Sequence, residues 1–166
     1  GGDGDHCSIG GGHLPHAARK NIDLLLIVMD NSIYGLTKGQ ASPTSRPGMA
    51  TTTTPYGSPD VPVNPVAYAL VYGASFVAQS FSSNTKLTTD LIGKALNHKG
   101  FAFINVISPC PTFNKADTFE YYKPLLKNID EIHPDKGDKV KALSLAMTMG
   151  KENGEVPIGL FYQEER

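Results

Sequence analysis

The chain has 166 residues, 40% of them hydrophobic, enough to bury one substantial core but too few for two ordinary domains. Its net charge is -1, with Lys and Arg scattered among Asp and Glu, so no basic face offers itself to nucleic acid. The longest apolar run, Leu24 to Met29, falls far short of the ~18 residues of a membrane helix, and no basic-apolar-small leader opens the chain; a cytoplasmic protein without membrane contact is expected. Two cysteines, Cys7 and Cys110, form no C-x-x-C pair and cannot make a disulfide framework.

The chain opens on a glycine-rich turn, Gly1-Gly2-Asp3-Gly4-Asp5, with no strand before it. Cys7 to Lys20 then reads as a helix, weakened at its start by Gly10, Gly11, Gly12 and Pro15. Ile22 to Asp30 contains six consecutive apolar residues, which is expected of a central parallel strand covered on both faces. Asn31 to Pro65 is rich in Gly, Pro, Ser and Thr without a sustained period, a loop long enough to be functional or disordered.

Asn64 is expected to cap a helix running through Tyr72, with Pro65 at its first position. A short strand, Phe76 to Gln79, follows. Asn84 or Thr85 caps the next helix, which runs to Lys99 and closes at Gly100. Phe101 to Ile107 is another apolar strand. Beyond the Ser108-Pro109-Cys110-Pro111 turn, Asp117 to Leu126 and Asp138 to Met149 read as helices, and Ile158 to Tyr162 as a last strand before a charged tail. Both ends are read as cuts inside a longer protein, leaving residues 1–166 as a single truncated domain. The alternation predicts an α/β fold, a parallel sheet with helices on both faces, whose ligands bind at the carboxyl ends of the strands. That rim would gather the Gly2 turn, the Asn31 loop and the Cys110 turn.

Asp3 and Asn31 stand 28 residues apart, both at strand ends in such a sheet. A carboxylate, an amide oxygen and a backbone carbonyl are hard donors suited to Mg²⁺, whose shell two phosphate oxygens and a water would complete. Gly2 and Gly4 would let the backbone approach a diphosphate closely. Taken alone, Gly-Asp-Gly also serves as an ordinary turn. A P-loop is excluded because Lys38 is followed by Gly39-Gln40, and the dinucleotide fingerprint fails where Cys7 stands in place of its third glycine.

A longer set of residues resembles one family. Gly2-Asp3-Gly4-Asp5, Ile9-Gly10, His13, Arg19 to Asp23, Met29-Asp30-Asn31, Ile33 to Gln40, Ser42-Pro43-Thr44 and Ser108-Pro109-Cys110 resemble the β subunit of 2-oxoacid:ferredoxin oxidoreductases, of the 2-oxoglutarate or broad-specificity type. The Tyr34 to Thr44 string is the most specific part.

The resemblance implies a thiamine diphosphate-binding fold in which Asp3 and Asn31 bind Mg²⁺ through side chains and Ile33 through its carbonyl. Gly2, Gly4 and Asp5 would line the diphosphate, with Leu36 and Thr37 bordering the pocket; His13 itself reads as lining the pocket or anchoring its helix. It implies oxidative decarboxylation of a 2-oxo acid, pyruvate or 2-oxoglutarate, to an acyl-coenzyme A, with electrons passing to ferredoxin and the site completed by an α subunit. Cys110 would be one ligand of a four-iron four-sulfur cluster in the complete subunit.

Lys38 could place a cation near the substrate carboxylate or coenzyme A, and Lys86 is a weaker candidate of the same kind. Cys7 reads as packing. His16 reads as structural, since Pro15 disrupts the helix on which His13 and His16 would pair as ligands. The loop from Gly39 to Pro62 is expected to order against the partner. Two other classes stay open: a different thiamine diphosphate enzyme, such as a non-oxidative decarboxylase or an acetolactate synthase type, and a noncatalytic assembly module.

Overall fold

In a computed structural model of the chain, residues 1–149 and 154–165 are described. A five-stranded sheet runs in the order β1 (Leu24–Asp30), β3 (Phe101–Ile107), β2 (Phe76–Phe81), β5 (Val156–Gln163), β4 (Leu126–Asn128). The first three are mutually parallel, whereas β5 is antiparallel to β2 and parallel to β4. The parallel core is as expected, and the last two strands make the whole sheet mixed.

Helices cover both faces. On one side α2 (His13–Lys20), α3 (Pro65–Val71) and α6 (Lys139–Thr148) supply Leu14, Ala18, Val66, Leu70 and Leu145 to a cluster around Val28, Val77, Phe103 and Phe161. On the other, α4 (Thr85–Asn97) packs Leu91 and Ala95 on Phe76, Ala78, Ala102 and Ile104. The alternation of those two sets along β2 and β3 is the period of a strand buried on both faces. Both strands are buried along their whole length.

Asn64 caps α3 as its position predicts, its Oδ1 accepting from the Ala67 amide at 3.0 Å. Its Nδ2 donates to the Ala146 carbonyl at 2.6 Å and so ties α3 to α6. Asn84 caps α4 in the same way, accepting from the Leu87 amide at 3.2 Å.

Several elements depart from the sequence reading. Of the expected Cys7–Lys20 helix, only α2 is α-helical beyond Cys7: a short helix, α1 (Asp3–Cys7), forms where a turn was expected, and a 3-10 turn at Ile9–Gly12 separates the two. Three successive glycines do not hold an α-helix together, since each gives up more backbone freedom than any other residue. Among the described residues β1 stands last in the strand order, with Gly1 and Gly2 pairing along the side away from β3, and Leu24 and Met29 are exposed. The helix expected at Asp117–Leu126 is one turn, α5 (Phe119–Tyr122), then a 3-10 turn containing Pro124. Pro124 lacks the amide that would continue the helix, and Leu126 to Asn128 pass into β4. The end of the last predicted helix, Met149, is the C-cap of α6.

The carboxyl ends of β1 and β3 lie side by side at Asp30 and Ile107. Ser108 continues the pairing by donating its amide to the Asp30 carbonyl at 2.7 Å. Gly2 pairs in parallel with Met29. The Gly2 segment, the Asn31 loop and the turn after Ile107 therefore share one rim, as expected.

Phe103, fully buried mid-strand in β3, tests this core. Phe103→Ala is expected to cost about 3–5 kcal/mol, read as a lowered denaturation midpoint at unchanged slope. A loss below about 1 kcal/mol would contradict the packing described.

Candidate cofactor and metal site

The rim is built on Asp3, 2% exposed, and Asp30, 5% exposed. Asp3 opens α1 and lies against the strand end through an acceptor bond from the Asn31 amide to its Oδ1 at 3.3 Å. Its Oδ2 accepts from the Thr44 hydroxyl at 2.7 Å. The same hydroxyl lies 2.9 Å from Asp30 Oδ1. Burial is the larger cause that pushes the Asp3 carboxyl above the usual carboxylate range, and the nearby Asp30 adds to it. The Ser42 and Thr44 hydroxyls and the Asn31 amide offset this in part.

Asn31 and Ile33 are placed by a tight turn. Ser32 has φ +57°, a left-handed conformation that costs a non-glycine residue on the order of 1 kcal/mol. The turn is held by Asp30 Oδ1, which accepts from the Ser32 amide at 3.1 Å and the Ser32 hydroxyl at 3.2 Å. Asn31 Oδ1 accepts from the Ile33 amide at 3.1 Å, and the Asn31 carbonyl accepts from Asn114 Nδ2 at 3.0 Å. Ser45 Oγ donates to the Ser32 carbonyl at 2.7 Å.

The glycines at this turn have different physical reasons. A Cβ on Gly4 would stand 2.1 Å from the Tyr34 ring, so Gly4 is required by the packing of Tyr34. A Cβ on Gly2 would meet nothing closer than Asp5 Oδ2, at 3.5 Å. Asp5 is exposed, and Oδ2 accepts from the Gly2 amide at 2.8 Å, so this carboxylate first serves the start of α1.

Beyond Ile33 the chain makes a small hairpin. The Tyr34 amide donates to the Gln40 carbonyl and the Gly39 amide to the Tyr34 carbonyl. Leu36, Thr37 and Lys38 are exposed at its tip, with Leu36 99% exposed and Lys38 at φ +77°. Thr37 is tied to Gln40 through side chain and backbone. Cys110 faces the same hairpin: its Sγ lies 3.9 Å from the place a Cβ on Gly35 would occupy. His13 and His16 are exposed on α2. Lys86 lies in the first turn of α4.

The long segment expected to lack regular structure has no helix or strand between Asn31 and Asn64, yet it is pinned by its own backbone. Gly48 and Ser58 exchange bonds across it at 2.8 Å and, through Met49, at 3.0 Å, and Val63 donates to the Pro43 carbonyl at 2.8 Å. Threonines 51 to 54 bond to one another and to Gly39 and Met49.

Sequence reasoning missed Thr44, Asp30, Asn105 and Gln79 as parts of this site. Asp30 stands inside the Met29-Asp30-Asn31 motif, but nothing in the spacing revealed a second buried carboxylate. Arg46 was also missed; its Nε lies 3.2 Å from Asp117 and its guanidinium sits 5.2 Å from the centre of the Tyr121 ring.

A match to a protein-family model covers residues 1–106: thiamine pyrophosphate enzyme, C-terminal TPP binding domain. The chain belongs to the thiamine pyrophosphate enzymes. Residues 110–166 match a second family model, the C-terminal part of the pyruvate ferredoxin oxidoreductase β chain. Within the thiamine pyrophosphate enzymes the relatives are β subunits of 2-oxoacid:ferredoxin oxidoreductases. One from Saccharolobus solfataricus is 43% identical over 99% of this chain and 56% of its own length. The 2-oxoglutarate oxidoreductase subunit KorB of Mycobacterium tuberculosis is 48% identical over 68% of this chain and 30% of its own. Among solved structures, 2-oxoglutarate:ferredoxin oxidoreductase from Magnetococcus marinus superposes with a TM-score of 0.95 at 52% identity, covering all of this chain and 56% of that one. That structure holds 2-oxoglutarate, coenzyme A and succinyl-CoA. This chain spans about half the length of the first of these relatives.

The donor set fits a magnesium diphosphate. All the candidate ligands are oxygens, which Mg²⁺ prefers, and a divalent cation would offset the charge of two buried carboxylates. The described residues do not fit an iron-sulfur cluster by themselves. They contain no group of three or more His, Cys, Asp or Glu able to hold a metal ion, and a four-iron cluster takes four thiolates.

Cys7 lies near the same two carboxylates. Burial first, then Asp30 and Asp3, push its thiol up to about 12, so the unreactive thiol form dominates at pH 8. In the native full-length protein, iodoacetamide at pH 8 should leave Cys7 unmodified by mass spectrometry until denaturant is added. Fast labelling of Cys7 in the folded protein would contradict this environment.

Proposed function

We propose that this chain is the cofactor-binding core of a 2-oxoacid:ferredoxin oxidoreductase β subunit, holding thiamine diphosphate through Mg²⁺ for the oxidative decarboxylation of a 2-oxo acid to acyl-coenzyme A. The observation that carries this reading is the juxtaposition of Asp3 with Asn31, across 28 residues, at the end of β1. It occurs in a chain whose first 106 residues match a thiamine pyrophosphate-binding domain.

In this reading Asp3 and Asn31 hold the metal through side-chain oxygens and Ile33 through its carbonyl, while Gly2 and Gly4 border the diphosphate. When bound, thiamine diphosphate supplies the nucleophilic carbon and the electron sink for decarboxylation. The protein contributes position. Asp30 and Ser45 fix the Ser32 turn, and Tyr34 packs over Gly4.

Leu36 and Thr37, exposed at the hairpin tip, would border the cofactor in this reading, and Lys38 follows them at φ +77°. An exposed ammonium there suits the carboxylate of a 2-oxo acid or the phosphates of coenzyme A. Between pyruvate and 2-oxoglutarate, the likeness to a protein holding 2-oxoglutarate at 52% identity supports the latter.

The exposed apolar side chains of Leu36, at the hairpin tip, and Val61, which shares a cavity with Asp30 and Thr44, support an α-subunit partner covering this rim. Cys110, in the proline-flanked turn beside the hairpin, is the residue this chain would offer to a cluster whose other ligands lie in the rest of the subunit. Ferredoxin is the proposed acceptor on the strength of the relatives' names.

The test is calorimetric titration of thiamine diphosphate into the full-length β subunit assembled with its partner. Binding should require Mg²⁺ and fall by at least about 100-fold in Asp3→Ala, and the wild-type complex should reduce ferredoxin only with a 2-oxo acid and coenzyme A. Mg²⁺-independent binding that survives Asp3→Ala would refute the site. Assembly with the partner but no cofactor binding would mark a noncatalytic module.

A further inference from the structure

Behind Asp3 runs a line of buried polar side chains whose hydrogen-bond direction is set at both ends by backbone. The Pro157 carbonyl can only accept, so Gln79 must turn its Nε2 toward it, at 2.7 Å. Gln79 Oε1 then faces Asn105, which must present Nδ2, at 2.9 Å. The other proton of that amide reaches Asp30 Oδ2 at 3.3 Å. At the far end the Ser32 amide can only donate, and it donates to Asp30 Oδ1. Both oxygens of Asp30 are thereby required to accept, and no rotation of Gln79 or Asn105 removes the requirement.

Thr44 has one hydroxyl proton and two carboxylates within reach. Asp30 Oδ1 already takes the amide and hydroxyl of Ser32, and Asp3 Oδ2 is the nearer of the two, at 2.7 Å against 2.9 Å. Ser42 Oγ lies 3.2 Å from the same hydroxyl and can donate to it. The Thr44 proton therefore serves Asp3, and Asp3 Oδ1, held by the long 3.3 Å contact from the Asn31 amide, is the oxygen left for a cation.

We propose that Asp30 and Thr44 are positioning residues for the metal site. Asp30 is locked as a double acceptor by the line from Pro157 and fixes the Ser32 turn that presents Asn31 and Ile33, while the Thr44 hydroxyl orients Asp3. Neither residue is a metal ligand. Their effect is to hold the ligands in one geometry before the cation arrives, which Mg²⁺ rewards because its octahedral shell tolerates little distortion. Partners one step removed from a metal commonly set its affinity in this way. The proposal rests on the metal site of Asp3, Asn31 and Ile33.

The experiment uses Mn²⁺ as a probe in the full-length β subunit with its partner, in the presence of thiamine diphosphate, with bound and free Mn²⁺ read by electron paramagnetic resonance. Thr44→Val keeps the shape and removes the proton, and is expected to weaken Mn²⁺ by about 10–100-fold. Thr44→Ser should recover affinity to within about threefold, because it restores the hydroxyl. Asp30→Asn should weaken Mn²⁺ at least as much, since its amide would face the Asn105 amide donor to donor, and it should broaden the bound-Mn²⁺ spectrum.

Wild-type affinity in Thr44→Val, with binding still lost in Asp3→Ala, would overturn the positioning role and leave the metal site standing. Equal loss in Thr44→Val and Thr44→Ser would also overturn it, because the hydroxyl would then not be the relevant group. Wild-type binding in Asp3→Ala would overturn the metal site and this proposal together.

Discussion

Two carboxylates, Asp3 and Asp30, are buried within reach of a single threonine hydroxyl, and the arrangement of the rim follows from how that charge is accommodated. Buried carboxylates need partners. Asp30 takes the Ser32 turn and Asn105, and in doing so bends the chain after β1 so that Asn31 and Ile33 follow in a fixed order. Asp3 keeps fewer bonds and is the carboxylate with capacity to spare. The sheet supplies the platform: β1 and β3 end together at Asp30 and Ile107, and Gly2 pairs beside Met29. Three segments distant in sequence therefore meet within a few residues.

The part of the site written locally was legible. Gly2-Asp3-Gly4 and Asn31 lie in short segments that the sheet brings to one rim as expected, the string from Ile33 to Gln40 entered through the family resemblance, and the apolar runs marked the residues of β1 and β3. Asn64 and Asn84 announced their helices because a cap is a local bond. Thr44 was not legible as a partner of Asp3, because it reaches across 41 residues from a segment with no regular structure. Asn105 and Gln79 sit inside strands that read as hydrophobic runs, and only the sheet register brings the two together.

The errors in the fold have the same origin. A six-residue apolar run says that a strand is buried but not which strands flank it; along the side of β1 away from β3, Gly1 and Gly2 are the described residues that pair. β5 runs antiparallel to β2, a direction that no periodicity within Val156 to Gln163 encodes. Pro124 and the half-exposed Leu126–Asn128 carry too little periodicity to mark the end of a helix and the start of β4. Gly4 shows that a residue can be read correctly for an incomplete reason. The sequence pointed to a close approach by a diphosphate, whereas the observed neighbour of its α-carbon is the Tyr34 ring.

We propose that Asp3, Asn31 and the Ile33 carbonyl hold one divalent cation at the end of β1. The most direct measurement is a crystal structure of the full-length β subunit with its partner, grown with thiamine diphosphate and Mn²⁺ and analysed by anomalous scattering at the manganese edge. The account predicts one strong peak bonded to those three oxygens, with Thr44 and Asp30 behind Asp3 and outside the coordination shell. A manganese peak elsewhere on the rim, or coordinated by Asp30 in place of Asp3, would contradict it.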